Sequence, residues 1–484
     1  MTEKSKTNAR IGLEINWQQT SETATPIPQN SSSDRLNIGV FGNFAGSKRL
    51  QQPTRPIRVN IDNIDTVLEQ CQPQLTFANE TITFTQLEDF HPDSLIARVP
   101  SLGKIYQYIT EIRRDGRQAP CFAEAAGLLN EIVLAPEETP GPEAPEPADQ
   151  SSPFETLLGA KTTASHTPSE RKPDSTVNQL LRDIIGDSIQ FPDAQAETVV
   201  NGLTALLSEK LCTFLHIPEF QQLESLWHGL HFLISELDVE DPVSVYLLNS
   251  SREVLTEAVA NSSQFHQTEL WQNVIESSGI SWSFFIATWN YASDDLESIR
   301  HLGKWAEAAQ SFIVAGARPQ LVGLENLRGA FFQDQLTFPQ DETWQSLPTT
   351  SESNHIGLAL GRFLLRAPYG KGSDPIQSFA FEEAQPSMEH ENYLWAHPGF
   401  ACAKAWSEHF IEHESRDVPI MARVDDLPYS ADAQGQVPVV ECWMSETVMA
   451  LIEQNRIIPL VSVKNSTSLL VGGNKSLSGK PLSF

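Results

Sequence analysis

Residues 283–315, SFFIATWNYASDDLESIRHLGKWAEAAQSFIVA, decide the fold class. Ser283 to Trp289 is a nearly unbroken apolar run and reads as a buried strand. Asp294 then stands where the helix dipole favours a carboxylate, as the N-cap of a helix. That helix carries Leu296, Ile299, Leu302, Trp305 and Ala309 at spacings of three and four. Phe312 to Ala315 is a further strand. Strand, helix, strand in this order is a crossover unit, and it predicts an α/β core with a mixed α+β surround.

The same pattern extends outward on both sides. Upstream, Val243, Val245 and Leu247 alternate as a strand. Pro218 opens a helix with Phe220, Leu223, Leu226, Trp227, Leu230 and Leu233 on one stripe. Leu203 to Leu211 and Leu180 to Ile185 also read as helical. Downstream, Ser445 caps a helix carrying Val448, Met449, Leu451 and Ile452, and strands follow at 457–463 and 468–471. Residues 176–484 are therefore expected to form a larger α/β domain.

Residues 35–134 read as a smaller α/β domain. Leu36 to Phe41 is a strand ending at Gly42-Asn43, and Ile57, Val59 and Ile61 alternate in a second. Leu75 and Phe77, then Ile82 and Phe84, flank the turn signal Asn79-Glu80 and suggest a hairpin. A helix capped by Ser101 carries Leu102, Ile105, Tyr106, Ile109 and Ile112, and Gly116 closes it. Between the two regions, 135–175 is a flexible linker. Its core, PEETPGPEAPEPADQSSP (136–153), holds six prolines and five acidic residues and cannot form an apolar interior. At the other end, 1–34 holds a strand, RIGLEINW (10–17), on a polar tether. Ile11, Leu13, Ile15 and Trp17 fall on one side of it. A lone strand is unstable, so it must pair with a sheet. The 17 residues 18–34 reach roughly 55 Å when extended, enough to pair in its own domain or on a neighbouring copy.

Composition narrows the function classes. The 484 residues are 40% hydrophobic and carry a formal net charge of −29. Phosphate binding needs a basic surface, so nucleic acid is not an expected partner. No apolar run is long enough to span a bilayer, so no membrane insertion is expected. MTEKSKTNAR at the start is not followed by an apolar segment, so no secretory leader and a cytoplasmic setting are expected. Cys71, Cys121, Cys212, Cys402 and Cys442 are too scattered for a disulfide framework or a metal knuckle.

Several blocks then carry a family resemblance. LNIGVFGNFAG (36–46), RPIRVNIDNIDTVLEQCQPQLTF (55–77) and FTQLEDFHPDSLIARVPSL (84–102) resemble the sheath small subunit of type VI secretion. HIPEFQQLESLWHGLHFL (216–233), LGRFLLRAPYGKGSDPIQSFAFEE (360–383), NYLWAHPGFACAKAW (392–406), VDDLPY (424–429) and 438–477 resemble the sheath large subunit, in that family's order. The matching motif positions are Trp227, Gly229, Leu230, Arg366, Pro368, Tyr369, Gly370 and Trp395, read as structural. Asn43 stands where the family usually has Asp, and His228 where it has Arg. Stretch 266–320 is divergent. The two subunits are ordinarily separate chains; here they are fused, and the large one is expected to lack its usual C-terminal segment.

The resemblance implies a contractile-sheath component and not an enzyme. Its protomers would stack around an inner tube of hexameric protein, on a baseplate, exchanging terminal strands such as the one bearing Ile11, Leu13, Ile15 and Trp17. An AAA+ unfoldase would recycle the contracted form through a helix, with Phe154, Leu157 and Leu158, or Leu180–Ile185, as candidates. The alternative within this class is an accessory end-cap, nucleating or regulatory protein of the sheath or baseplate.

Other chemistry finds little support. His409, Glu412 and His413 match H-x-x-E-H, whose spacing puts both histidines on one helical face, as a zinc hydrolase would need. In so acidic a chain the motif is cheap, and a helix surface is the plainer reading. His228 and His231 read as packing residues. No Walker spacing, G-x-G-x-x-G or G-x-S-x-G elbow occurs. No catalytic residue, cofactor or metal is expected. Arg366 is expected to pair with Glu382 at the surface and to position the Pro-Tyr-Gly turn, a pairing worth little energetically.

Overall fold

The run LNIGVFG forms strand β1 (Leu36–Gly42), and its burial on both faces puts it in the middle of a sheet. On one side it runs parallel to β5 (Val243–Asn249), with Leu36 opposite Val243 and Gly42 opposite Asn249. On the other it runs parallel to β6 (Phe284–Tyr291), with Ile38 opposite Phe284. This is a computed structural model. It describes residues 35–48, 55–77, 80–134, 192–260, 265–330, 336–384, 388–432 and 435–484. The strand at 10–17, its tether, the linker at 135–175, and the segments at 154–158 and 180–185 lie outside the described residues.

The remaining strands complete a nine-stranded sheet. β2 (Ile57–Val59) pairs antiparallel with β5 and forms one edge. Beyond β6 come β7 (Phe312–Ala317) and β8 (Ile356–Leu360), both parallel, then β10 (Ile457–Ser462), also parallel. β11 (Leu469–Gly472) and the other edge strand, β9 (Met421–Val424), are antiparallel. A hairpin of β3 (Gln74–Phe77) and β4 (Glu80–Thr83) stands apart from this sheet, as its turn signal predicts.

Alternation along the central strands fills two cores. Ile38, Val40, Phe284, Ile286 and Val314 face one. Helices α1 (Ile64–Cys71), α2 (Pro92–Arg98), α3 (Pro100–Asp115), α4 (Phe122–Leu134), α5 (Pro192–Leu215), α6 (Pro218–Ile234) and α9 (Pro398–His413) cover it. Phe41, Phe285, Ala287, Ile313 and Ala315 face the other. That core is covered by α7 (Arg252–Ala260), α8 (Leu296–Ala308) and α10 (Glu446–Gln454). The α/β class follows: a mostly parallel sheet between helical layers.

The crossover unit is present, β6 to α8 to β7 in parallel register. Its cap is one residue later than the sequence suggests. A turn of 3₁₀ helix covers Ser293–Asp295, so Asp294 is exposed and Asp295 occupies the cap position. Its carboxylate accepts from the Ala292 amide at 2.9 Å and meets Arg252 and Arg318. Likewise α3 is entered through Val99 and Pro100, and Ser101 instead donates to Glu80 at 3.1 Å. Ser445 caps α10 as expected, accepting from the Val448 amide.

Residues Leu36–Phe484 form one compact unit. Segments 35–134 and 176–484 thus share a sheet, where the sequence suggests two bodies. The reason is β1 itself. A strand apolar on both faces needs a neighbour on each side, and both neighbours come from the second segment. The helices repeat this dependence. Leu102, Ile105, Ile109 and Ile112 of α3 share a core with Leu203, Leu207 and Leu211 of α5. Among the described residues, no helix is long and apolar enough to cross a membrane.

Candidate functional site

The blocks that stand out in the sequence converge along α6. Its stripe of Phe220, Leu223, Trp227 and Leu230 is buried, and Glu224 lies on the same stripe with its side chain fully enclosed. A buried carboxylate needs a partner, and Arg366 supplies it, Nε to Oε1 at 2.8 Å. Arg366 Nη1 also reaches Glu383 Oε2 at 2.8 Å. Glu383 accepts from the Tyr369 amide at 2.8 Å, and His216 Nε2 lies 3.3 Å from its other oxygen. The guanidinium sits over the Tyr369 ring, 4.1 Å from the centroid. Arg366 therefore pairs with Glu224 and Glu383 in the interior, and not with Glu382 at the surface. Glu382 turns the other way and accepts from the Lys371 amide at 3.0 Å.

Sharing one guanidinium drives the two carboxyls apart. Burial pushes Glu224 up, against the pull of Arg366. Burial would also raise Glu383, but Arg366, His216 and the Tyr369 amide outweigh it and hold that carboxyl at about 2. Gly370 permits the close approach of this turn, because a Cβ there would lie 2.2 Å from Glu382 Oε2. Pro368 places its carbonyl on the Ser373 hydroxyl.

The block DFHPD (89–93) docks against this cluster. Phe90 stacks on Phe84 at 4.4 Å and meets the His228 ring edge-on at 5.7 Å. His91 meets Tyr369 edge-on at 5.1 Å. Asp93 accepts from the Gln377 and Ser378 amides at 2.8 and 2.9 Å and from the Ser378 hydroxyl. These bonds and Arg98 hold the segment, since Arg98 Nη2 reaches the buried Asp89 at 2.6 Å. The Trp227 indole donates to the Phe44 carbonyl at 3.1 Å, tying α6 to the loop after β1. Trp395 donates to the His390 carbonyl at 2.7 Å, and its own carbonyl accepts from Ser225.

Gly229 lets α6 lie close to α9. A Cβ at this position would lie 2.5 Å from Cε2 of the buried Phe400 on α9. Gly229→Ala is expected to lower stability by about 1–3 kcal/mol through overpacking, read as a lower urea midpoint. An unchanged midpoint would show that Phe400 has room to move.

Of the eight motif positions, Arg366, Pro368, Tyr369 and Gly370 lie together in the charged turn against Glu224 of α6, whereas Gly229 packs on Phe400 of α9 and Trp395 in a small cluster with Leu364 and Tyr393. Sequence reading missed Glu224, Glu383, His216 and Asp93. Glu224 had a signal, a carboxylate on an apolar helical stripe. Asp93 had none, because it grips backbone amides.

The histidine motif does not assemble a comparable centre. The His409 and His413 rings stack at 4.4 Å on the last turns of α9. His413 Nδ1 is turned to the His409 carbonyl at 3.2 Å. Among the described residues, the group close enough to chelate an ion is His390, Glu391 and Glu441. There Arg362 holds the cation's place, 2.6 Å from Glu441 and 2.9 Å from Glu391.

Comparison with known proteins separates two stretches in chain order. Residues 197–478, more than half of the chain, match the family described as EvpB/VC_A0108, tail sheath N-terminal domain. The chain belongs to this tail sheath family. Residues 33–137 match a second family, described as type VI secretion system, VipA, VC_A0107 or Hcp2. The type VI secretion system sheath protein TssC1 of Pseudomonas aeruginosa is 26% identical over 311 residues. That alignment covers 60% of this chain and 62% of the relative, so the chain spans less than two thirds of that protein's length. In this tail sheath chain, β1 lies in the second match and both its neighbours in the first. The DFHPD block and the Arg366 cluster likewise meet across the two matches.

Proposed function

We propose that this chain is a structural subunit of a type VI secretion contractile sheath, a protomer that carries small-subunit-like and large-subunit-like segments together. The observation that carries the reading is the place of β1. A strand from one family segment is hydrogen-bonded on both sides by strands from the other. In such a protomer the two segments share one sheet, which suits a stacked, load-bearing array. Trp227, Gly229, Leu230, Arg366, Pro368, Tyr369, Gly370 and Trp395 act in this reading by fixing the junction.

The finer reading concerns partners. Protomers assemble with one another in the cytoplasm, around an inner-tube hexamer and on a baseplate, and an AAA+ unfoldase recycles them. Ile11, Leu13, Ile15 and Trp17 are offered to a neighbour's sheet. The edge strand β9 supports this, since among the described residues it has one strand neighbour, and Ile420 and Met421 beside and within it are exposed. Open edges of this kind are templates for strand addition.

Negative-stain electron microscopy of the full chain, alone and made with an inner-tube protein, is the test. Tubes or stacked rings are expected, and deletion of residues 1–17 is expected to abolish them while the monomer stays folded. A strictly monomeric protein under both conditions would remove the proposal.

A further inference from the structure

An open cleft of about 300 Å³ lies where the C-terminal ends of α6 and α9 meet. It stands apart from the Arg366 junction. Glu236, Asp238, Asp241, Glu408 and Glu412 line it. Lys404 is the one basic residue in the lining, and its side chain is 5% exposed. Its ammonium lies 2.9 Å from Glu236 and 3.5 Å from Glu408, above the Phe232 ring. Asp241 is engaged by the Asp238 amide at 2.7 Å, and one cation in the lining faces the other four carboxylates. The negative ends of two helix dipoles add to the imbalance. Burial raises the Glu408 carboxyl, and its neighbours Glu236 and Glu412 raise it further against Lys404.

A second observation points to a ligand. Ser407 also lines the cleft and is 1% exposed, yet its hydroxyl has no hydrogen-bond partner among the described residues. A buried hydroxyl without a partner is costly, and an incoming N–H would satisfy it. Leu233, Leu237 and Ile411 supply apolar walls. Carboxylates around an apolar slot match the methylene stem and charged head of a long basic side chain. A metal ion fits less well. Among the described residues no three of these carboxylates converge closely enough to chelate, and Lys404 would repel a dication.

We infer that this cleft receives a lysine or arginine side chain from a basic segment of a partner protein. The probe is fluorescein-labelled tetra-arginine, titrated with the full chain and followed by anisotropy. Saturable binding is expected. The double variant Glu236→Gln/Glu408→Gln should weaken it by about 10-fold, and Ser407→Ala by about 3-fold. The charge-matched control Glu219→Gln/Glu257→Gln, at exposed positions elsewhere, should leave it unchanged. Glu412→Gln, whose side chain is 72% exposed and outside the core, should cost about 3-fold with folding intact. Equal weakening by the cleft and control doubles would reduce the effect to diffuse charge attraction and overturn the inference. So would no binding, or stoichiometric displacement of the peptide by calcium.

Discussion

Arg366→Met is expected to destabilise the protein by about 3–5 kcal/mol, because it leaves two buried carboxylates without their cation. Glu224 has no other ionic partner among the described residues, and Glu383 keeps only His216 and the Tyr369 amide. The methionine fills much of the same volume, so the loss reports charge and not a cavity. Restoring balance should recover part of it. Adding Glu224→Gln to Arg366→Met is expected to return about 1–3 kcal/mol, since a neutral amide costs less to bury than a carboxylate. Urea unfolding of the single and double variants reads both effects. An Arg366→Met midpoint equal to that of the parent would sink the idea that the junction depends on this cluster.

Acidification is expected to have a similarly large effect, centred on His228 and His397. His397 is buried and His228 half-buried, and desolvation holds their rings neutral, at about 3 for His228 and about 4 for His397. Arg366 and His231 lower His228 further. The His397 arrangement shows why a second proton is unwelcome. Its Nδ1 accepts from the Gly399 amide at 3.1 Å while Nε2 faces the Trp289 carbonyl at 3.3 Å. A proton on Nδ1 would confront an N–H. In the unfolded chain both imidazoles take up protons near their ordinary value of about 6.5. Between that value and the folded ones, the unfolded state binds more protons, so stability rises with pH and falls on acidification. Each histidine contributes up to about 1.4 kcal/mol per pH unit in this window. Glu383 adds to the loss lower down. Its carboxyl is depressed in the folded state, so its contribution is present above the ordinary carboxylate range and disappears as pH falls toward about 2. Urea midpoints across the acid side of neutrality should therefore slope steeply, and His228→Asn should remove about half of the histidine share. A variant with the parental slope would show that His228 does not set the acid limit.

The legible parts of the fold were those with a local signal. The 283–315 crossover was readable because its strands are apolar on both faces and its helix on one. Caps slipped by one or two positions where a 3₁₀ turn or an X-Pro entry intervened, as at Asp295 and Val99. The sharing of the sheet was not readable. Nothing near residues 36–42 announces a parallel partner at 243–249, since such pairing leaves no turn and no spacing to count. The Arg366 cluster was half readable. Glu382 and Glu383 are adjacent and chemically alike, and only the irregular backbone around them decides which one turns inward.

The central position of β1 has a consequence for synthesis. When the ribosome has made residue 42, the first of its two partners is about 200 residues away and the second about 240. At about 5–20 residues per second, this apolar strand waits on the order of 10–50 s with both edges bare. For that interval the nascent chain carries an aggregation-prone template, so the yield of correctly made protein is set by whatever shields residues 36–42 until translation passes Tyr291.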